Sequence, residues 1–329
     1  MTQPSISDAT AVALSPWRLT FYLVLLLGAA LAGYVYTLRT QGIFACPAAG
    51  YRDGHYLAYC QAPQYGDYDH GAFWFSLEPG IRDYVARADV LFLGNSRVQF
   101  GFSTNITDAW MQSLPARYFL LGFAYWENYT FERALLRQIN PRPSVVIINV
   151  DDYFETHKTD VASAVMHDDS LRGHYRVKRL WQWPHHWLCS PFPALCGGNE
   201  AFFRSLTTGG YQRFAAKWGH FEVNYDPAVD SKVLTAYVPR AKQFLDSLPV
   251  PRDCVLMTIV PSSQTHLGTA RALAESLGVQ FVAPTPMDLT TFDRSHLNPE
   301  SAHRWSRAFF TEAGTSIRRC LADRHSTEP

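Results

Sequence analysis

A run of short apolar segments, each broken within a few residues by a helical pattern, constrains this chain more than any other feature. The segments lie at 90–93, 118–121, 145–148, 255–260 and 280–283. Each is too short for a helix and lacks the polar alternation of a half-exposed strand, which predicts strands buried on both faces. Between them the spacing predicts helices over 105–114, 126–139, 232–248 and 269–277, with a short one over 79–87 ahead of the first strand. In the 126–139 helix Phe131, Leu135 and Ile139 recur every four residues, and Pro141 and Pro143 stop the pattern. A last helix opens with Asn298 as cap and Pro299 at its first position and runs to about Arg319. Links this brief leave only crossover connections, so the expected fold class is α/β, a parallel sheet covered on both faces.

In such sheets sites form at the carboxyl ends of the strands, and two stretches put chemistry there. The first is Ala88 to Ser103, ADVLFLGNSRVQFGFS, where the apolar run breaks at Gly94 and is followed by Asn95-Ser96-Arg97. A serine between a strand and a helix has an exposed hydroxyl and backbone N–H groups beside it that can hold an oxyanion. The second is Phe292-Asp293-Arg294-Ser295-His296-Leu297-Asn298. His296 there suits a general base and Asp293 the carboxylate that orients it. Each residue also has an ordinary reading: a helix cap for Ser96, a surface or capping histidine for His296.

In this order the two stretches resemble the SGNH (GDSL-like) hydrolases, a family of serine esterases and acyltransferases. The α/β-hydrolase elbow Gly-x-Ser-x-Gly is absent. The resemblance covers roughly Ala88 to Arg319 and implies a three-layer αβα sandwich with a flavodoxin-like parallel sheet. It implies Ser96 as nucleophile with Asp293 and His296 as its partners. No cofactor or metal is expected: His185-His186 invites a metal, but it has no acidic partner at helical spacing. The resemblance also implies oxyanion donors: Gly122 after the second strand, with an ordinary turn glycine as the alternative, and Asn149 after the third. Where the family usually shows Gly-x-Asn-Asp, this chain reads Ile148-Asn149-Val150-Asp151-Asp152. Asn149 is therefore either the counterpart or a residue inside the strand, with Asp151 or Asp152 facing the site. Arg97 is a candidate for binding substrate, or else a structural ion pair. Membrane-anchored branches of the family, the alginate acetylation and teichoic-acid D-alanylation proteins, are similar in having an amino-terminal anchor and a Gly-x-Ser-(Arg/Glu) block.

Residues 19–38, LTFYLVLLLGAALAGYVYTL, carry no charge over a length that covers a bilayer. Arg18 and Arg39 bracket them, and Trp17, Tyr34 and Tyr36 sit where interfacial aromatics do. The alternative is a cleaved signal peptide, with Ala30-Leu31-Ala32 before Gly33 as its site. The apolar run continues past that point and the amino-terminal region is not basic, which favours a retained helix. The six cysteines contain no Cys-x-x-Cys pair. Their spacing suggests Cys46–Cys60 and Cys189–Cys196, leaving Cys254–Cys320, with six unpaired thiols as the alternative. Disulfides place the domain in an oxidising compartment, outside the cytoplasmic membrane.

The expected organisation is thus a cytoplasmic tail (1–18), a transmembrane helix (19–38), an irregular lead-in (39–87) and a catalytic domain (88–329). The alternation lapses between about 151 and 230, an insertion holding Trp181, Trp183, Trp187 and His185-His186. Those tryptophans either stack on sugars or fill a core. Trp126-Glu127-Asn128, just past Gly122, falls where a substrate wall would be, although core packing explains Trp126 equally. Lys and Arg balance Asp and Glu at 29 each, which removes the electrostatic case for a nucleic-acid partner. The expected function is acyl transfer, most simply of acetyl, to a cell-envelope glycan. The resemblance adds a multi-spanning acyl-donor protein as partner. The rivals are an esterase on the same polymers and an inactive glycan-binding subunit of an export complex.

Overall fold

The computed structural model describes residues 15–157, 159–215 and 217–325; the greater part of the expected tail, 1–14, lies outside them. In chain order, α1 is Pro16–Gln41, β1 His55–Cys60, β2 Gly66–Asp67, α2 Asp69–Trp74 and α3 Ile81–Ala86. Then come β3 Val90–Asn95, α4 Ser96–Gly101, α5 Thr104–Gln112, β4 Tyr118–Phe123, α6 Tyr129–Ile139 and β5 Val145–Asn149. The next stretch holds α7 Asp160–His167, α8 Leu171–Cys189, β6 Ala201–Ser205, β7 Tyr211–Phe214 and β8 Phe221–Glu222. Last are α9 Ser231–Leu245, β9 Val255–Thr258, α10 Leu267–Leu277, β10 Gln280–Phe281, β11 Thr290–Thr291 and α11 Pro299–His325.

The apolar runs build one parallel sheet in the spatial order β10-β9-β5-β3-β4. Numbered within that sheet, the order is 2-1-3-4-5, the doubly wound arrangement in which the connections leave β3 on opposite faces. Alternate residues face opposite ways, as the pleat requires. Leu91, Leu93, Phe119, Leu121, Val146 and Ile148 pack on α6, α9 and α10. Val90, Phe92, Leu120, Val145 and Ile147 pack on α5 and on Trp305, Phe309 and Phe310 of α11. A disulfide between Cys254 and Cys320 ties α11 to the start of β9.

The lead-in is not irregular. Its strands β1 and β2 join β6 and β7 of the insertion in an antiparallel sheet ordered β2-β1-β6-β7. Cys46–Cys60 pins the lead-in to β1, and Cys189–Cys196 closes the end of α8. This second sheet covers β4, the edge of the parallel one. Leu120 N–H donates to Thr208 O (2.8 Å), and Leu120 O accepts from the Arg204 guanidinium (2.6 Å). An exposed edge strand is a template for mispairing, and this cover removes it. Arg204 is fully buried; it pairs with Asp69 at 2.5 Å and lies against the rings of Phe73 and Phe123. Asp69 also accepts the hydroxyls of Tyr56 and Tyr211.

A second buried ionic group ties the lead-in to the loop after β4. The His70 ring sits between Asp67 Oδ1 (2.9 Å) and Glu127 Oε2 (3.1 Å) and is fully buried. Burial by itself lowers a histidine pKa, but the two carboxylates outweigh it and raise that of His70 to about 10. A pKa raised in the folded state contributes stability that is complete below about pH 6.5 and is lost as pH rises toward about 10. Unfolding free energy is therefore expected to fall across that window by up to ~1.4 kcal/mol per pH unit from this group. Denaturant titrations at about pH 6.5 and about pH 9 should show the decline, and His70→Phe should flatten it. An equal slope in the variant would place the dependence elsewhere.

α1 is 26 residues long, apolar enough to cross a membrane, and has none of its apolar window buried.

Candidate active site

The β3–α4 junction places Ser96 at its apex. Gly94 has φ +150°, and a Cβ there would come within 2.7 Å of Val98 Cγ2 and 3.0 Å of Asn149 Cβ, so only glycine fits. Its N–H donates to Glu132 Oε1 (3.1 Å). Asn95 caps α4, its Oδ1 accepting the Arg97 N–H (3.0 Å) while its Nδ2 donates to Asp151 O (3.2 Å). Ser96 is then the first residue of α4, where backbone N–H groups have no intrahelical acceptor. It stands at the carboxyl end of β3, beside the crevice that the reversal of strand order opens.

The other half comes from a loop held by a two-stranded ribbon. β11 pairs with β8, Thr291 bridges Leu297, and Phe292 N–H donates to His296 O (2.9 Å), closing a tight loop. Within it Asp293 Oδ1 accepts the N–H groups of Ser295 (3.0 Å) and His296 (2.8 Å). That fixes the carboxylate and leaves Oδ2 for His296 Nδ1 at 2.7 Å. His296 Nε2 lies 2.7 Å from Ser96 Oγ. With its proton on Nδ1, the imidazole donates to Asp293 and accepts from the Ser96 hydroxyl. Burial pushes the Asp293 carboxyl up, but hydrogen bonds and charge from His296 outweigh it and hold the group below the usual carboxylate range. Residues 200 apart in sequence thus form a connected Ser–His–Asp chain.

Two aromatic side chains that the sequence reading did not single out hold the imidazole. Phe292 stacks on it, with centroids 5.4 Å apart and planes 19° from parallel, and Phe100 meets it edge-on at 4.8 Å. Phe100 is four residues after Ser96, so the helical spacing places both on one face of α4. That was the available signal. Arg213 lies over Phe292 and Trp218 at 4.2 and 4.4 Å.

The remaining expectations divide. Gly122 lies beside Gly94 in the β3–β4 register, and a Cβ on it would come within 2.5 Å of Asn95 O. The glycine is thus required by the close approach of two strand ends. Arg97 makes the ion pair that was its alternative reading: it is paired to Asp151, and its Nε donates to Ser295 Oγ (3.1 Å). It acts as a strut between the serine turn and the histidine loop. Asn149 is the last residue of β5 and is fully buried. Its Oδ1 accepts the Val260 N–H (2.8 Å) and its Nδ2 faces Asn95 Oδ1 (3.4 Å). The structure gives it a role in tying β5 to β9 and to the cap, in place of the expected oxyanion donor. Asp151, two residues past the end of β5, is buried and is the ion-pair partner of Arg97.

Trp126 is 73% exposed, which excludes the core-packing reading. Trp181, Trp183 and Trp187 are exposed too and fill no core. His185 is buried with both ring nitrogens engaged, Nε2 with Cys46 O (2.9 Å) and Nδ1 with the Tyr51 hydroxyl (3.1 Å). The sulfurs of Cys189 and Cys196, within 4.8 Å of one of its ring nitrogens, are bonded to each other. No protein-family model, curated protein or solved structure matches the chain.

Proposed function

We propose that this protein is a membrane-anchored serine acyltransferase that acts outside the cytoplasmic membrane on a cell-envelope glycan. The observation that carries the reading is the 2.7 Å approach of Ser96 Oγ to His296 Nε2, with Asp293 behind the ring at 2.7 Å. Its place at the carboxyl end of the strand where the sheet order reverses supports it. So does the resemblance of the two motifs to the SGNH hydrolases. Disulfides and a long apolar α1 support an oxidising compartment and a membrane tether.

In this mechanism Ser96 Oγ attacks the ester carbonyl of the donor while its proton passes to His296 Nε2. The oxyanion is held by the N–H groups of Ser96, at the start of α4, and of Gly122. Collapse breaks the bond to the donor alcohol, which leaves with the proton from Nε2, and an acyl-serine remains. A sugar hydroxyl then gives its proton to Nε2 and attacks the acyl carbonyl, restoring Ser96. Asp293 stabilises the imidazolium in both halves without taking the proton.

Incubation of the full chain with p-nitrophenyl acetate and a neutral or acidic oligosaccharide tests this. The expected result is acceptor-dependent release of nitrophenol with an acetyl group appearing on the sugar. Acetate release indifferent to the sugar would make the protein an esterase. No release, together with no labelling by a fluorophosphonate, would end the acyl-transfer reading.

A further inference from the structure

Helix α8 turns a row of large apolar side chains outward. Leu180, Trp183 and Trp187, spaced by three and four, are 72%, 72% and 65% exposed, and Phe192 and Leu195, beyond the helix end, are exposed as well. The rings of Trp183 and Trp187 stack nearly parallel. The opposite face of α8 is held firmly. Gln182 bonds both the N–H and the C=O of Leu57, His185 bonds Cys46 O, and Cys189 is in a disulfide. The orientation is therefore set by the fold, and an exposed patch of this kind calls for a partner.

Continuity with α1 says which partner. The uncharged run of α1 ends at Leu38, and Arg39 Nη2 donates to Cys196 O (3.5 Å) at the end of the α8 segment. Phe44, just past α1, packs edge-on against Trp181 (6.2 Å) and His185 (5.4 Å). At about 1.5 Å per helical residue, and no more than about 3.6 Å per residue beyond, Phe44 lies within about 15 Å of Leu38. Where α1 crosses a bilayer, Phe44 and the α8 rings packed on it are thus at most about 15 Å from the hydrocarbon edge, close to a headgroup layer about 5–8 Å thick on each side. Indole rings at that depth have an apolar surrounding for the ring and water or headgroups for the N–H. Arg172 and Arg176, exposed on the same helix, suit lipid phosphates.

We propose that α8 lies in the headgroup layer of a phospholipid bilayer, with Leu180, Trp183 and Trp187 in the interface and Arg176 on the phosphates. This rests on reading α1 as a membrane span. The catalytic domain is then attached at two points, α1 and α8, and is held in one orientation rather than swinging on a tether.

The test uses the full chain in nanodiscs of phosphatidylcholine and phosphatidylglycerol, with and without lipids brominated near the headgroup end of the acyl chain. The emission lost in the variant Trp183→Phe/Trp187→Phe, which keeps the face apolar, reports those two rings. Bromine is expected to quench more than about half of that difference emission, with little quenching by aqueous acrylamide. Difference emission untouched by bromine and fully open to acrylamide would overturn the proposal and leave a protein as the occupant. Failure of the anchor reading is seen separately. The chain would then be released from membranes by alkaline carbonate, or its mass would show loss of residues up to Ala32, and the proposal would fall with it.

Discussion

Replacing Ser96 by alanine is expected to lower acyl turnover at least ten-thousand-fold, on the order seen when a triad nucleophile is removed. His296→Ala should cost about as much, because nucleophile and base act as one unit across the 2.7 Å contact. The double variant should therefore be no slower than either single one. Neither change should disturb the fold. Ser96→Ala removes one hydroxyl at the first turn of α4, whose cap is Asn95, and His296 reaches Ser96 from a loop whose shape is set by Asp293 and the Phe292–His296 backbone bond. Burst-phase release of nitrophenol from p-nitrophenyl acetate reads the chemistry, and circular dichroism reads the fold. A single variant that keeps wild-type turnover would remove the triad from the mechanism, and with it the acyl-enzyme.

Asp69→Ala is expected to destabilise the protein by about 3–5 kcal/mol, the largest structural effect of any single change in view. It leaves the fully buried Arg204 guanidinium without its carboxylate and the hydroxyls of Tyr56 and Tyr211 without their acceptor. A buried ion pair contributes little net stability over an apolar replacement, but half of one is costly. Asp69→Leu combined with Arg204→Met should accordingly lose much less than Asp69→Ala alone. Denaturant unfolding with the disulfides intact measures both. If the single variant stayed within about 1 kcal/mol of wild type, Arg204 would not be the clamp between the two sheets. Because Arg204 also binds Leu120 O two residues before Gly122, loosening it is expected to blur the end of β4 where the oxyanion is proposed to sit.

Much of the site was legible because its pieces are local. Asp293 and His296 are three apart, so one loop carries both, and Gly94-Asn95-Ser96 is a complete strand-to-helix turn in three residues. The three disulfides have the partners that spacing and position suggested. The strands of the parallel sheet were equally plain, since burial on both faces leaves a continuous apolar run. What could not be read was set by contacts between distant segments. Arg97 next to the proposed nucleophile looks like a ligand for an anion until Asp151, just past the end of another strand, pairs with it. Asn149 could stand in the strand or past it; the neighbouring Val260 N–H decides that its side chain is used internally. The strand His55–Cys60 shows no alternation because consecutive residues, Tyr56, Leu57 and Ala58, are all buried, and its partner strand Ala201–Ser205 lies far away in the chain.

The amino-acid order by itself determined the class of fold and the two turns that bear serine, aspartate and histidine, and it suggested the pairing of the cysteines. The first two depend on hydrophobic period and on turn chemistry, which act within a few residues. Tertiary structure alone decided that Ser96 and His296 meet, which groups Arg97 and Asn149 bond, that lead-in and insertion share a sheet, and that the tryptophans of α8 face outward. Each of those depends on which groups satisfy one another once water is excluded, and that competition is settled only when segments far apart in the chain are brought together.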